Sequence, residues 1–306
     1  MALQFSTVTR KGPITIVTLS RPEVYNALHT DAHNELHEVF NEFANDPEQW
    51  VAVVTGAGDK AFCAGNDLKW QAAGGKRGWN TSGFAGLTAR FDCDKPIIAA
   101  VNGVAMGGGF EIALACDLII AAENATFALP EPRVGLAALA GGLQRLPRQI
   151  GMKRAMGMIL TARHVKAQEG YELGFVNEVV PQGEALNAAL RWAETICQNS
   201  PMSIRASKQA IQKGMQVSLE QAITEQRDYP AVKAMAASED YVEGPKAFSE
   251  KRSRTGRGSN SELVGWVERT APWRQPISRA RRNRRTAWLF APLNPSYFSV
   301  SLLYAA

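Results

Sequence analysis

The stretch Val101-Asn102-Gly103-Val104-Ala105-Met106-Gly107-Gly108-Gly109-Phe110-Glu111 decides how this chain is read. An apolar strand runs into three consecutive glycines and then into a helix that carries a glutamate. Glycine lets a backbone turn sharply and lets another chain or a ligand come close. The first turn of the helix presents N–H groups that have no intrahelical acceptor, at the positive end of the helix dipole. Negative charge developing on an oxygen is favoured there. Glu111 stands about one turn further on, where acid–base chemistry beside an enolate needs a carboxylate. Close packing of a helix across a strand would call for the same glycines, so the stretch needs a second signal.

Two further segments supply it. Ala61-Phe62-Cys63-Ala64-Gly65-Asn66-Asp67-Leu68-Lys69 follows the apolar strand 50–55. Its Ala-Gly-Asn-Asp core suits a tight turn that leaves backbone N–H groups free, and two donors from two loops can grip one oxygen. Thr126-Phe127-Ala128-Leu129-Pro130-Glu131 places another carboxylate just after a short strand and a proline, where a side chain can project into a cleft. Adding water across a conjugated double bond needs a base for the nucleophile and an acid for the α carbon. Carboxylates manage this where burial or a neighbouring like charge raises a pKa.

Together the three segments resemble the crotonase superfamily, that of the enoyl-CoA hydratases and isomerases, over about residues 1–253. Its F-x-A-G-x-D-[ILM]-K, A-V-N-G-x-A-x-G-G-G-x-E and F-x-x-P-E patterns all stand here in that order. The resemblance implies an α/β fold: a crotonase-like spiral of ββα units with a C-terminal helical trimerisation region. It divides the chain into a spiral core with the CoA and catalytic site (1–200), a helical oligomerisation region (201–253) and an atypical basic tail (254–306). It also implies that the backbone N–H groups of Asn66 and Gly108 hold a thioester carbonyl while Glu111 and Glu131 flank one water molecule. The expected activity is that of a hydro-lyase, adding or removing water across the α,β double bond of an acyl-CoA thioester. Enoyl-CoA isomerases of the same fold usually keep a single acid–base carboxylate, so the pair favours hydration over that alternative.

Coenzyme A contacts follow from the same resemblance. The family's L-x-R-P-x-x-x-N-A-L segment stands here as Leu19 to Leu28, and in it Glu23, Val24 and Tyr25 line the CoA path through backbone atoms. Glu23 replaces a lysine found in many members, which shifts contact with the CoA phosphates onto Lys69. The Ala64 carbonyl is expected to accept from the adenine amino group, with Asp67 and Leu68 on the same loop. Phe248 and Lys251 match positions that complete a neighbouring subunit's CoA site, which implies a homotrimer or a dimer of trimers. No permanently bound cofactor is implied; CoA enters as part of the substrate.

Ser82 to Thr88, Phe127 to Glu131 and Glu243-Gly244-Pro245 resemble the carnitinyl-CoA dehydratase branch of the superfamily. Trp70, Trp79 and Phe84 could then offer aromatic faces to a quaternary ammonium, with ordinary core packing as the alternative. Asn66 stands where that branch often has an aromatic residue.

Other readings compete for smaller segments. Gly56-Ala57-Gly58-Asp59-Lys60-Ala61 has the spacing of a dinucleotide-binding turn, but no helix is expected to start there. His29, His33 and His37 recur every four residues, and without an H-E-x-x-H pattern they read as a solvated helix edge rather than a metal site. The 306 residues have 45% hydrophobic and 21% charged content, ordinary for a globular enzyme. Residues 1–20 alternate like a strand with no apolar signal segment. Prolines 292 and 295 interrupt the apolar C-terminal stretch before a span could form. Four cysteines without paired short spacing suit reduced thiols in a cytoplasm.

Charge is uneven. From Lys251 onward eleven Lys and Arg face two acids, so the tail carries +9 and residues 1–250 carry −4 within a total of +5. The run Arg279 to Arg285 could touch nucleic acid, and an RNA-binding or scaffold protein with a vestigial site is the distant alternative. Composition and family pattern change together after Arg252-Ser253, which reads as an unrelated, disordered extension such as a frameshift leaves.

Strands are expected near 4–9, 14–19, 50–55, 97–101, 117–121, 126–128 and 177–180, and helices near 30–45, 83–91, 108–115, 151–161, 167–173 and 184–198. From Pro201 to about residue 250 the sequence reads as helical, with breaks at Gly214 and Gly244-Pro245.

Overall fold

A computed structural model describes residues 3–251; the basic tail, with its expected disorder and its arginine run, lies outside them. The strands are β1 (Ser6–Lys11), β2 (Ile14–Leu19), β3 (Val51–Gly56), β4 (Ala61–Cys63), β5 (Ile97–Val101), β6 (Val104–Met106), β7 (Leu118–Ala122), β8 (Thr126–Ala128), β9 (Val165–Lys166) and β10 (Glu178–Val180). The helices are α1 (Thr30–Asn45), α2 (Leu68–Ala72), α3 (Gly108–Ala115), α4 (Gly142–Ile150), α5 (Met152–Thr161), α6 (Ala167–Leu173), α7 (Ala185–Cys197), α8 (Pro201–Gly214), α9 (Leu219–Glu225), α10 (Pro230–Ala236) and α11 (Glu239–Ser249).

Two sheets carry the fold. The larger has the order β1-β2-β3-β5-β7-β10, parallel except for the β1–β2 hairpin. The smaller has the order β4-β6-β8-β9, with β4, β6 and β8 parallel. Each turn of the chain therefore lays one strand in the first sheet, one in the second, and a connection back, which is the ββα spiral.

Alternation along the strands fills both faces of the larger sheet. Val51, Val53, Ile98, Ala100, Ile120 and Ala122 pack on one side, against Ala185, Ala188, Ala189 and Ala193 of α7. Ala52, Val54, Ala99, Val101, Ile119 and Ala121 face the other side, toward α1, α3 and the small sheet. A parallel strand covered on both faces reads as an unbroken apolar run, and every residue of β3 is buried. Alanines on α7 let that helix lie close to the sheet, and the site forms on the opposite face.

Several expectations are corrected here. Residues 83–91 form no α-helix; a short 3-10 turn covers Phe84–Gly86. Gly83, Ala85 and Gly86 all have positive φ, which a right-handed helix cannot hold. Gly86 lies against the backbone of Leu36 and His37, so this turn docks on α1. Helix α11 runs through Pro245 instead of breaking there, at the cost of one hydrogen bond within the helix; α8 does end at Gly214. The three short strands β4, β6 and β9, and helices α2 and α4, were not legible as elements. β4, β6 and β9 are two or three residues long and carry no measurable alternation, whereas β8 and β10, equally short, lie within the expected strands 126–128 and 177–180; α4 opens on Gly141-Gly142 and contains Pro147.

The histidine edge is also corrected. His29 and His33 are buried, not solvated. His29 is the N-cap of α1, where its Nδ1 accepts from the Ala32 N–H at 3.3 Å. His33 Nδ1 accepts from the Ala85 N–H at 3.2 Å, and His37 Nδ1 lies 2.6 Å from Ser82 Oγ. The three imidazoles therefore cap α1 and pin the 82–86 turn, because that turn covers the face on which they stand. Burial pushes the pKa of His33 down to about 4, with His29 and Arg77 acting in the same direction. Protonation is thus disfavoured in the folded state while the unfolded chain titrates near 6.5. The contribution is fully present above the unfolded value and is lost as pH falls from 6.5 toward 4, with a slope of up to about 1.4 kcal/mol per pH unit. Urea midpoints measured across that window should fall with pH, and His33→Asn should flatten the fall; an unchanged slope in the variant would refute the assignment.

Candidate active site

Strand β4 ends at Cys63, and the chain turns through Gly65 at φ +93 before α2. Asn66 makes an isolated parallel bridge with Leu28. That bridge uses the Gly65 carbonyl, which accepts from Leu28 N–H at 2.8 Å, and the Asp67 N–H, which donates to Leu28 at 2.8 Å. Successive N–H groups of an extended segment point to opposite sides, so the N–H of Asn66 faces away from Leu28 and has no acceptor among the described residues.

A second unpaired amide stands beside it. Gly107 donates its own N–H to the Ala128 carbonyl of β8 at 2.9 Å, and its carbonyl accepts from the Glu111 N–H at 2.9 Å. Gly108 then opens α3, and its N–H is one of the orphan donors of a helix N-terminus. The two loops touch: a methyl group built on Gly65 would lie 3.0 Å from the Gly108 nitrogen and 2.8 Å from the Met106 carbonyl. Behind the hole, α3 crosses β4 so closely that a Cβ on Gly109 would overlap the Cys63 carbonyl. The glycine run therefore serves packing and site together.

Both glutamates border this hole. Glu111 is 3% exposed and its Oε1 accepts from the Gly142 N–H, at the start of α4, at 2.8 Å. Burial pushes its pKa up to about 7, and the neighbouring Glu131 adds to the rise while Gly142 and Arg145 oppose it. Glu131 lies in the 3-10 turn after β8, and a methyl on Gly107 would stand 2.9 Å from its Oε1. Its Oε2 is buried without a hydrogen-bond partner, and burial raises its pKa as well. A pair of acids so placed holds a proton near neutral pH, with an unsatisfied oxygen free to engage a small molecule.

The aromatic residues divide. Trp70 stacks on His29 at 5.2 Å, whereas Trp79 and Phe84 flank His33, their own ring centroids 6.5 Å apart. Phe84 is buried against Gly108, where a Cβ would stand 2.5 Å from its ring. It backs the amide that the glycine offers.

Around the proposed CoA path, several motif residues hold the protein together. Asn26 donates to the carbonyls of Ala57 and Ala61 at 3.0 and 2.9 Å, and Asn102 donates to those of Gly56 and Gly58 at 3.0 and 2.8 Å. These amides close the β3–β4 turn, which occupies the place where a dinucleotide fingerprint would need a helix. Asp67 is buried, caps α2 through Trp70 N–H at 3.0 Å and pairs with Arg21 at 3.0 Å. Burial opposes its ionisation, yet Trp70 and Arg21 hold its carboxyl below the usual range. Its side chain is thus committed to the fold, leaving the loop backbone to face a ligand.

Glu23, Tyr25, Leu68 and Lys69 are exposed, and Val24 and Ala64 partly so. The Ala64 N–H donates to the Tyr25 carbonyl at 2.9 Å, which joins the two loops. Phe248 and Lys251 lie at the end of α11, with Phe248 87% exposed. Among the described residues no His, Cys, Asp and Glu cluster could hold a metal ion, and no helix is long and apolar enough to cross a membrane.

Two unpaired amides from separate loops beside two buried carboxylates are the arrangement that the sequence resemblance implies, and comparison with known proteins shows the family. The family profile described as enoyl-CoA hydratase/isomerase matches residues 9–256. The chain belongs to the enoyl-CoA hydratase/isomerase family. A carnitinyl-CoA dehydratase of Salmonella enteritidis is 42% identical over 258 residues, covering 82% of this chain and 97% of that protein. The crystal structure of an enoyl-CoA hydratase from Mycobacterium tuberculosis superposes with a TM-score of 0.77 at 37% identity, over 83% of this chain and 99% of the other. That of a carnitinyl-CoA hydratase from Mycobacterium avium gives 0.66 at 39% identity, over 84% of this chain and all of the other. The crotonase fold expected from the sequence is therefore the fold of this family member. Gly142 and Arg145, which surround Glu111, were missed by the sequence reading; the Gly141-Gly142 pair was the one signal that pointed to them.

Proposed function

We propose that this enzyme adds or removes water across the α,β double bond of an acyl-CoA thioester, with Asn66 and Gly108 as oxyanion donors and Glu111 and Glu131 as the acid–base pair. The observation that carries the reading is the meeting of two acceptor-less amides beside a buried glutamate whose pKa is raised to about 7 and whose neighbour is a second acid. In the hydration direction one carboxylate removes a proton from water as its oxygen bonds to the β carbon. The π electrons move toward the thioester oxygen, where the two amides stabilise the negative charge. The other carboxyl group then gives its proton to the α carbon. Each amide of this kind contributes about 2.7–4 kcal/mol to lowering such a barrier.

CoA would lie along Glu23, Val24, Tyr25, Ala64, Asp67, Leu68 and Lys69, and it is needed only as part of the substrate. Apolar exposure on α11, at Tyr241, Val242 and Phe248, supports a homotrimer or dimer of trimers in which Phe248 and Lys251 reach a neighbour's CoA site. This C-terminal region, 201–253, would be the oligomerisation region beside the 1–200 core. The free, mostly buried cysteines support work in the cytoplasm.

For the acyl group, the 42% identity to a carnitinyl-CoA dehydratase supports the crotonobetainyl-CoA/carnitinyl-CoA pair. Hydration rates on crotonyl-, crotonobetainyl- and branched enoyl-CoA test this. Crotonobetainyl-CoA should give the highest kcat/KM; a preference for a neutral acyl chain would remove the carnitine assignment, and inactivity on every thioester would remove the hydro-lyase reading.

A further inference from the structure

Arg145, on the first turns of α4, links two parts of the site that belong to different loops. Its guanidinium donates to the Thr88 carbonyl at 2.8 Å and packs on Gly141, where an added Cβ would overlap it. The next residue, Gly142, donates its N–H to Glu111. On the other side, Thr88 Oγ1 accepts from the Phe84 N–H at 2.8 Å, and Phe84 backs Gly108. One side chain therefore spans from the glutamate's anchor to the turn behind the oxyanion amide.

We propose that Arg145 is a positioning residue for the reaction: its guanidinium holds the 82–88 turn against α4 and places a positive charge on the Glu111 side of the site. The inference rests on those two acids being the catalytic pair. Arg145 is partly buried yet has no carboxylate within ion-pair distance among the described residues, so its charge is left to act on its surroundings. Besides the Thr88 carbonyl, the guanidinium lies 5.8 Å from the centre of the Phe91 ring. Burial opposes its charge and Glu111 favours it, and Arg145 in turn favours ionisation of Glu111. The groups facing Glu111 are Glu131 from the segment after β8 and Arg145 from α4. Arg90, from the segment that carries the 82–88 turn, is spent on the carbonyls of Gly86 and His37.

The test is the kcat–pH profile for crotonyl-CoA hydration by the full chain carrying Arg145→Met, Arg145→Gln or Arg145→Lys, beside Glu111→Gln. Loss of the cation should move the limb set by Glu111 to higher pH, by up to about one unit, the low end of what a nearby opposite charge does. Arg145→Gln keeps a donor for Thr88, so it preserves the test if Arg145→Met fails to fold. Arg145→Lys should return that limb to its wild-type position. A uniform loss of kcat without movement of either limb, with Glu111→Gln inactive, would show a packing role alone and overturn the inference. Glu111→Gln that still hydrates would instead overturn the acid–base reading on which the inference stands.

Discussion

Replacing Glu111 by Gln is expected to lower kcat for crotonyl-CoA hydration by about 10²–10⁴-fold, the usual worth of a positioned proton-transfer group. Glutamine keeps the volume of the side chain and an oxygen for the Gly142 N–H, so Tm should stay close to the wild-type value while the proton is lost. Glu131→Gln should act as strongly, because water needs a base and the α carbon needs an acid in the same turnover. The two losses should not add in the double variant, since either residue alone cannot complete the reaction. Migration of a double bond in 3-enoyl-CoA, measured beside hydration, separates the reaction classes. An isomerase working through Glu131 would keep that activity in Glu111→Gln. A hydratase built on the pair would lose both, and an isomerase would then no longer be a tenable description.

Gly65→Ala is expected to be nearly as damaging to turnover, although it adds one methyl group. Its φ of +93 is strained for any L side chain, and the methyl would stand 3.0 Å from the Gly108 nitrogen, at the mouth of the amide pair. In the proposed mechanism it obstructs the place where the thioester oxygen would sit. Loss of one such donor costs about 10²–10³-fold in kcat. The variant should lose kcat more than CoA affinity, because the Tyr25–Ala64 contact and the CoA path lie outside the obstructed spot. Titration with crotonyl-CoA or CoA followed by calorimetry, alongside kcat, distinguishes the outcomes. Equal loss of CoA binding and turnover would mean that the whole loop had moved, and unaltered kcat would remove Gly65 and Gly108 from the oxyanion site.

Much of this site was legible because its chemistry is written locally. Gly108 and Glu111 sit on one short helix, Gly65 and Asn66 on one turn, and Glu131 follows a strand and a proline. Spacing alone places each group relative to its own backbone. The helix expected at 83–91 failed for a tertiary reason, since Ala85 takes a positive φ that is held by His33 and by docking on α1. His33 itself was misread for the same reason: the period-four pattern says which residues share a face, but not what comes to cover that face. Apart from the Gly141-Gly142 pair, Gly142 and Arg145 carry no signature in sequence, because their contacts depend on the placement of α4 over Glu111.

The sequence by itself determined the α/β character, the strands of the larger sheet and the residue types able to polarise a carbonyl and move a proton, all of them consequences of short-range backbone preference and periodicity. Only the tertiary structure decided that the Gly65–Asn66 turn lies against the Gly108 nitrogen, that Glu111 is buried enough to hold its proton near pH 7, and that an arginine from a third segment ties the 82–88 turn to α4. Those properties depend on distance and dielectric between segments far apart in the chain, and neither quantity exists until the two sheets have closed around the site.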